Sequence, residues 1–138
     1  MIGHASEKVL KQWQKAPVAL RLVVEYLDEK FGGGLLVFRI DAPTKFEKGV
    51  HAAGLAMDLE LRGDAQAIER ACLEVNKRFF PRGPGVQVCT IKENLANFPS
   101  GRRADRPHVH VQIPFDWKAN PRLFLREHGY TEGKDCAR

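Results

Sequence analysis

Apolar and polar positions alternate along this chain with two different periods, and the changes of period mark its elements. Residues 6 to 31 follow a helical period. Ser6 is a candidate N-cap with Glu7 after it, Val9, Leu10 and Trp13 form one stripe, and Val18, Leu22 and Tyr26 form a second. Pro17 stands between the stripes and predicts a break there, with the proline opening the second helix. "FGGG" (31–34) ends that helix.

The period then drops to two. "LLVFRI" (35–40) reads as a buried strand, and "LAMDLEL" (55–61) alternates strictly. Leu55, Met57, Leu59 and Leu61 share one face of it, and Ala56, Asp58 and Glu60 share the other. Ile68, Cys72, Val75 and Phe79 restore a helical stripe between Asp64 and Phe80, closed by "PRGPG". "VQVCTI" (86–91) is the next strand, and a long polar segment from 92 to 107 is expected to line a substrate groove. "HVHVQI" (108–113) puts His108, His110 and Gln112 on one face and Val109, Val111 and Ile113 on the other. Asn120 and Pro121 open a last helix that runs to Gly129. Helices bracketing a run of strands predict an α+β domain with a mostly antiparallel sheet flanked by helices.

The length of 138 residues suits a single domain over 1–138, with a helical part at 6–31, a core at about 35–115 and a C-terminal helix at about 120–129. Hydrophobic residues at 43% and charged residues at 28% are those of a soluble globular chain. No apolar run approaches the length of a membrane span, and the first residues lack the apolar stretch of a secretory signal. The expectation is therefore a protein that is cytoplasmic at synthesis. A net charge of +5 favours anionic company without choosing among nucleic acid, membrane surface and wall polymer. Cys72, Cys89 and Cys136 form no CxxC pair; two core thiols and one near the tail is the expectation. His128 suits a helix C-terminus, His4 is assigned to a mobile tail, and Trp13 to the core.

The chemistry lies in two short stretches, "GVHAAGLAMDLEL" (49–61) and "RPHVHVQIP" (106–114). Seven residues of straight strand would hold His51 roughly 23 Å from Asp58. Gly54 permits a turn that returns His51 toward the carboxylate. His108 and His110 share a strand face about 6–7 Å apart, which suits one ligand and one neighbour rather than two equivalent ligands. Two imidazoles and a carboxylate leave a fourth coordination position open for water, as in catalytic zinc sites. An iron site of two His and one carboxylate is the competitor, and the seven-residue gap favours zinc.

"HAAGLAMD" has the pattern H-x-x-G-x-A-x-D and "HVH" the pattern H-x-H, and together they resemble the D-Ala-D-Ala carboxypeptidase, lysostaphin and Hedgehog-type metallopeptidases. The likeness covers roughly residues 35 to 115 and is greatest for the D-Ala-D-Ala carboxypeptidase branch and its phage relatives. The resemblance implies zinc held on the sheet by His51, Asp58 and His110, with His108 as a catalytic neighbour. Phe38 and Arg39 match an aromatic–Arg pair of many members, whose arginine stabilises an oxyanion or holds a substrate carboxylate. Asp105 is the candidate general base, five residues before His110 where three is common, and Gly49 stands where many members carry Ser. No separate wall-binding module is present in these 138 residues.

The implied activity is hydrolysis of an amide bond in peptidoglycan peptides by zinc-activated water, as a carboxypeptidase or endopeptidase. The implied setting is a phage-type route to the wall, with no nucleic-acid partner. Two other readings compete. One is a catalytically silent zinc domain that binds a partner. The other is a nicking nuclease using "HVHV" and Tyr130, which leaves "HAAGLAMD" unexplained.

Overall fold

The computed structural model describes residues 2–40, 54–81, 87–92 and 108–131. Helix α1 spans Glu7–Lys15, capped by the Ser6 hydroxyl, which accepts from the Val9 amide at 3.2 Å. Helix α2 runs Val18–Phe31, and Pro17 occupies its N-cap, so the expected break is present. Strands β2 (Leu36–Arg39) and β3 (Ala56–Glu60) follow, then α3 (Ala65–Arg78) with Asp64 as its N-cap. Strands β4 (Cys89–Lys92) and β5 (His108–Gln112) come next. Two short helices, α4 (Phe115–Ala119) and α5 (Pro121–Glu127), close the described chain.

The α+β class expected from the pattern is present, but the sheet is mixed rather than mostly antiparallel in plan. With a further strand β1 at Gly3–His4, its order is β1-β2-β3-β5-β4. The edge strand β1 is only Gly3–His4, and it pairs with β2 in parallel, whereas β2–β3, β3–β5 and β5–β4 are antiparallel. His4 is therefore not in a mobile tail: it is half-buried, opposite Val37, with its ring 5.3 Å from that of Trp13. Two residues are too few to show a period, so no local pattern could mark this strand.

The apolar strand face carries Val37, Met57, Leu59, Leu61, Val109, Val111 and Ile113, and it belongs to one core with the helices. Helix α2 is the centre of that core. Leu20, Val23, Val24 and Leu27 are fully buried, and the helix packs on α3, α4, α5 and β5. Each such side chain contributes about 1.5–3 kcal/mol by leaving water. Ile68, Cys72, Val75 and Phe79 of the α3 stripe are all buried, as their spacing required. On α1 the stripe narrows: Val9 is buried, Trp13 packs partly against the core, and Leu10 faces outward. Among the described residues no helix is long and apolar enough to cross a membrane.

The turn after α2 sets the start of the sheet. Gly32 (φ 102°) and Gly33 (φ 95°) take left-handed conformations, and the Gly33 amide donates to the Asp28 carbonyl at 2.8 Å. The buried Asp28 carboxylate then accepts from the Leu35 amide at 3.1 Å, which aims the chain into β2. Asp28→Ala strands that buried N–H, and a loss of about 1–3 kcal/mol is expected in urea unfolding.

Candidate functional site

The face of the sheet opposite the core is polar, and strand alternation builds it. Asp58 is opposite His110 of β5 and opposite Arg39 of β2, so three chemically active side chains meet across three strands. Thr90 of β4 is the partner of His110 on its other side.

Arg39 owes its place to an irregularity. Strict alternation would set it on the same face as Val37, inside the core. Instead the register advances from Val37↔Leu59 to Arg39↔Asp58, two residues on β2 against one on β3. A bulge of this kind re-aims side chains. It brings Phe38 and Arg39 to the polar face together: the Phe38 ring stands edge-on to His108 at 6.0 Å, and Arg39 Nη1 lies 3.7 Å from Asp58 Oδ2.

Asp58 is the hub. Its Oδ1 is 3.0 Å from His110 Nδ1 and 3.9 Å from His108 Nε2. Asp58 and His108 are buried, at 5% and 9% exposure, so their mutual interactions are weakly screened by water. The two histidines are inequivalent, as their spacing on one strand suggested: His110 contacts the carboxylate, and His108 stands behind it against Phe38.

The hydrogen-bond ledger of His110 bears on a metal. Its Nδ1 faces a carboxylate oxygen, and its Nε2 faces Gln112 Oε1 at 3.2 Å. Both facing atoms are oxygens, so an imidazole proton directed at Gln112 leaves the Nδ1 lone pair toward Asp58 Oδ1, where a cation would lie between the two. Two donors about 2.1 Å from a tetrahedral ion are about 3.4 Å apart. The separation of 3.0 Å needs only a small opening, so this donor pair fits zinc.

Two of the three expected ligands, Asp58 and His110, are thus brought together, with His108 and Arg39 beside them. The third ligand, His51, and the candidate base, Asp105, lie outside the described residues, as does most of the segment expected to line the groove. Among the described residues no group of three or more His, Cys, Asp or Glu side chains is arranged to hold a metal ion.

Two further side chains belong to the site. Gln112 holds the outer nitrogen of His110, and the alternation of "HVHVQI" had already set it on that face. Glu60 shares the polar face, is 2% exposed, and its Oε1 accepts from Arg62 Nε at 2.9 Å. A buried carboxylate two residues from Asp58 was visible in the alternation, but nothing in a single strand marked it as enclosed. On the zinc reading, Gln112→Ala is expected to weaken zinc binding about 10–100-fold with folding intact, because outer partners orient metal ligands. Competition with a chromophoric chelator measures it.

No family model, curated protein or solved structure matches this chain.

Proposed function

We propose that the chain is a zinc-dependent peptidase that hydrolyses an amide bond in peptidoglycan peptides. The observation that supports this reading is the meeting of Asp58, His110, His108 and Arg39 on one polar sheet face. Asp58 and His110, completed by His51, would hold the ion. When bound, zinc supplies a Lewis acid that activates water near neutral pH and polarises a carbonyl.

The protein's own groups have distinct tasks. Asp58 sets the negative charge that draws both the cation and Arg39. Arg39 presents a planar fork of donors beside the carboxylate, suited to a peptide's terminal carboxylate or to a developing oxyanion. His108, edge-on to Phe38, is assigned a hydrogen bond to the same oxyanion. Asp105 is assigned the proton transfer from the attacking water. The net charge of +5 draws the domain toward anionic wall polymer.

The nuclease reading needs Tyr130 at the histidine pair. Tyr130 instead stacks on Phe124, 6.3 Å between ring centres, with the Arg78 guanidinium over its ring. Both aromatic rings belong with the helical core rather than the polar sheet face.

Digestion of purified peptidoglycan by zinc-loaded and chelator-treated protein tests the proposal, with released fragments read by mass spectrometry. Zinc-dependent products are expected, and their masses identify the bond. A chain that binds zinc yet releases nothing would overturn the cell-wall reading in favour of a silent zinc domain.

A further inference from the structure

A second chemical feature lies on the opposite flank, outside the candidate metal centre. Cys72 of α3 and Cys89 of β4 are 17 residues apart in sequence, yet both are buried and free, both line one pocket, and both are met by the same Asn76 side chain. Asn76 clamps the two elements at this point. Its Nδ2 donates to the Cys89 carbonyl at 2.9 Å, and its Oδ1 accepts from the Cys89 amide at 2.8 Å. The same Nδ2 lies 3.9 Å from Cys72 Sγ, one helical turn away.

The pair is buried but not sealed. A pocket of about 400 Å³ opens onto it, lined by Cys72, Cys89, Asn76, Gln87, Thr90 and Ile91 among others. That volume is ample for a small hydroperoxide to reach the sulfurs. The two sulfurs are also unequal. Cys72 retains 6% exposure, and Cys89 has none.

We propose that Cys72 and Cys89 form an oxidisable dithiol, in which Cys72 meets small hydroperoxides through this pocket and Cys89 resolves the product as a disulfide. The inference is independent of the peptidase reading. The order of reaction follows from the environment. The Cys89 thiol donates its hydrogen bond to Cys72 and, with help from Asn76, holds it below the usual thiol range despite burial. The same hydrogen bond, together with burial, pushes Cys89 well above that range. Cys72 is therefore the better source of thiolate.

The chemistry balances with hydrogen peroxide as the oxidant. The Cys72 sulfur attacks one peroxide oxygen, an S–O bond forms, the O–O bond breaks, and hydroxide leaves with the thiol proton as water. The Cys89 sulfur then attacks the sulfenic sulfur, an S–S bond forms, and the S–O bond breaks to release a second water. Two thiols are oxidised and one peroxide is reduced. The resulting link would tie α3 to β4 one residue from Thr90, the strand partner of His110.

The test is brief exposure of the full chain to a small excess of hydrogen peroxide, then alkylation and peptide mass spectrometry. The expected product is a cross-linked Cys72–Cys89 peptide pair, lighter by two hydrogens and restored by dithiothreitol. In Cys89→Ser, Cys72 should accumulate as a sulfenic acid trapped by dimedone; in Cys72→Ser, Cys89 should stay reduced while the parent converts. The parent measurement stands even if a variant misfolds. Cross-linking to Cys136 instead, or full alkylation of both thiols after peroxide, would overturn the proposal.

Discussion

Exchange of Asp58 for Asn is expected to weaken zinc binding by more than about a hundredfold, and to remove peptidase activity with it. The amide keeps the size and shape of the carboxylate, so the β2–β3–β5 ladder that Asp58 sits in has no reason to change. What is lost is the charge. Partners that merely orient a ligand are worth about 10–100-fold in affinity, so a ligand itself is worth more. Arg39 then faces a neutral side chain, and its positive charge opposes an incoming ion. Arg39 is partly exposed, which keeps the stability cost small. Competition titration reads the affinity and urea unfolding reads the fold. A variant that binds zinc as tightly as the parent would remove Asp58 from the ligand set.

Phe79→Ala is expected to do the reverse: stability falls by about 3–5 kcal/mol, and zinc affinity of the folded fraction stays as it was. Phe79 is fully buried at the end of α3. Its ring meets Tyr26 edge-on at 5.3 Å, stacks on Phe124 at 6.0 Å, and lies 5.3 Å from His128. These rings come from α2, α5 and the turn after α5, so removing the phenyl group opens a void where three elements converge. Domains are typically stable by about 5–15 kcal/mol, so the loss is a large share of the whole. The sheet separates this cluster from Asp58, and distant sites act almost independently. A lower urea midpoint at unchanged slope would measure the effect.

Much of this arrangement was legible in the chain because it is local. The alternation in "LAMDLEL" and "HVHVQI" named the face that carries Asp58, His108, His110 and Gln112. Pro17 marked the break between α1 and α2, and Asp64 the start of α3. What local pattern cannot carry is pairing between distant segments. The bulge at Phe38 moves Arg39 off the core face, and only the register against β3 reveals it. The Cys72–Cys89 contact joins a helix to a strand, and each cysteine alone looks like an ordinary buried thiol. Helix α4 is five residues of "FDWKA", too short to show a stripe. Trp117 of that helix is buried in the core.

The most direct test of the central claim is a zinc titration of the chelator-stripped chain beside His110→Ala and His108→Ala. The account predicts a single zinc per parent chain, loss of that binding in His110→Ala, and retention within about tenfold in His108→Ala, whose histidine is a neighbour and not a ligand. Undiminished binding in His110→Ala, or a parent chain that takes up no zinc, would contradict it.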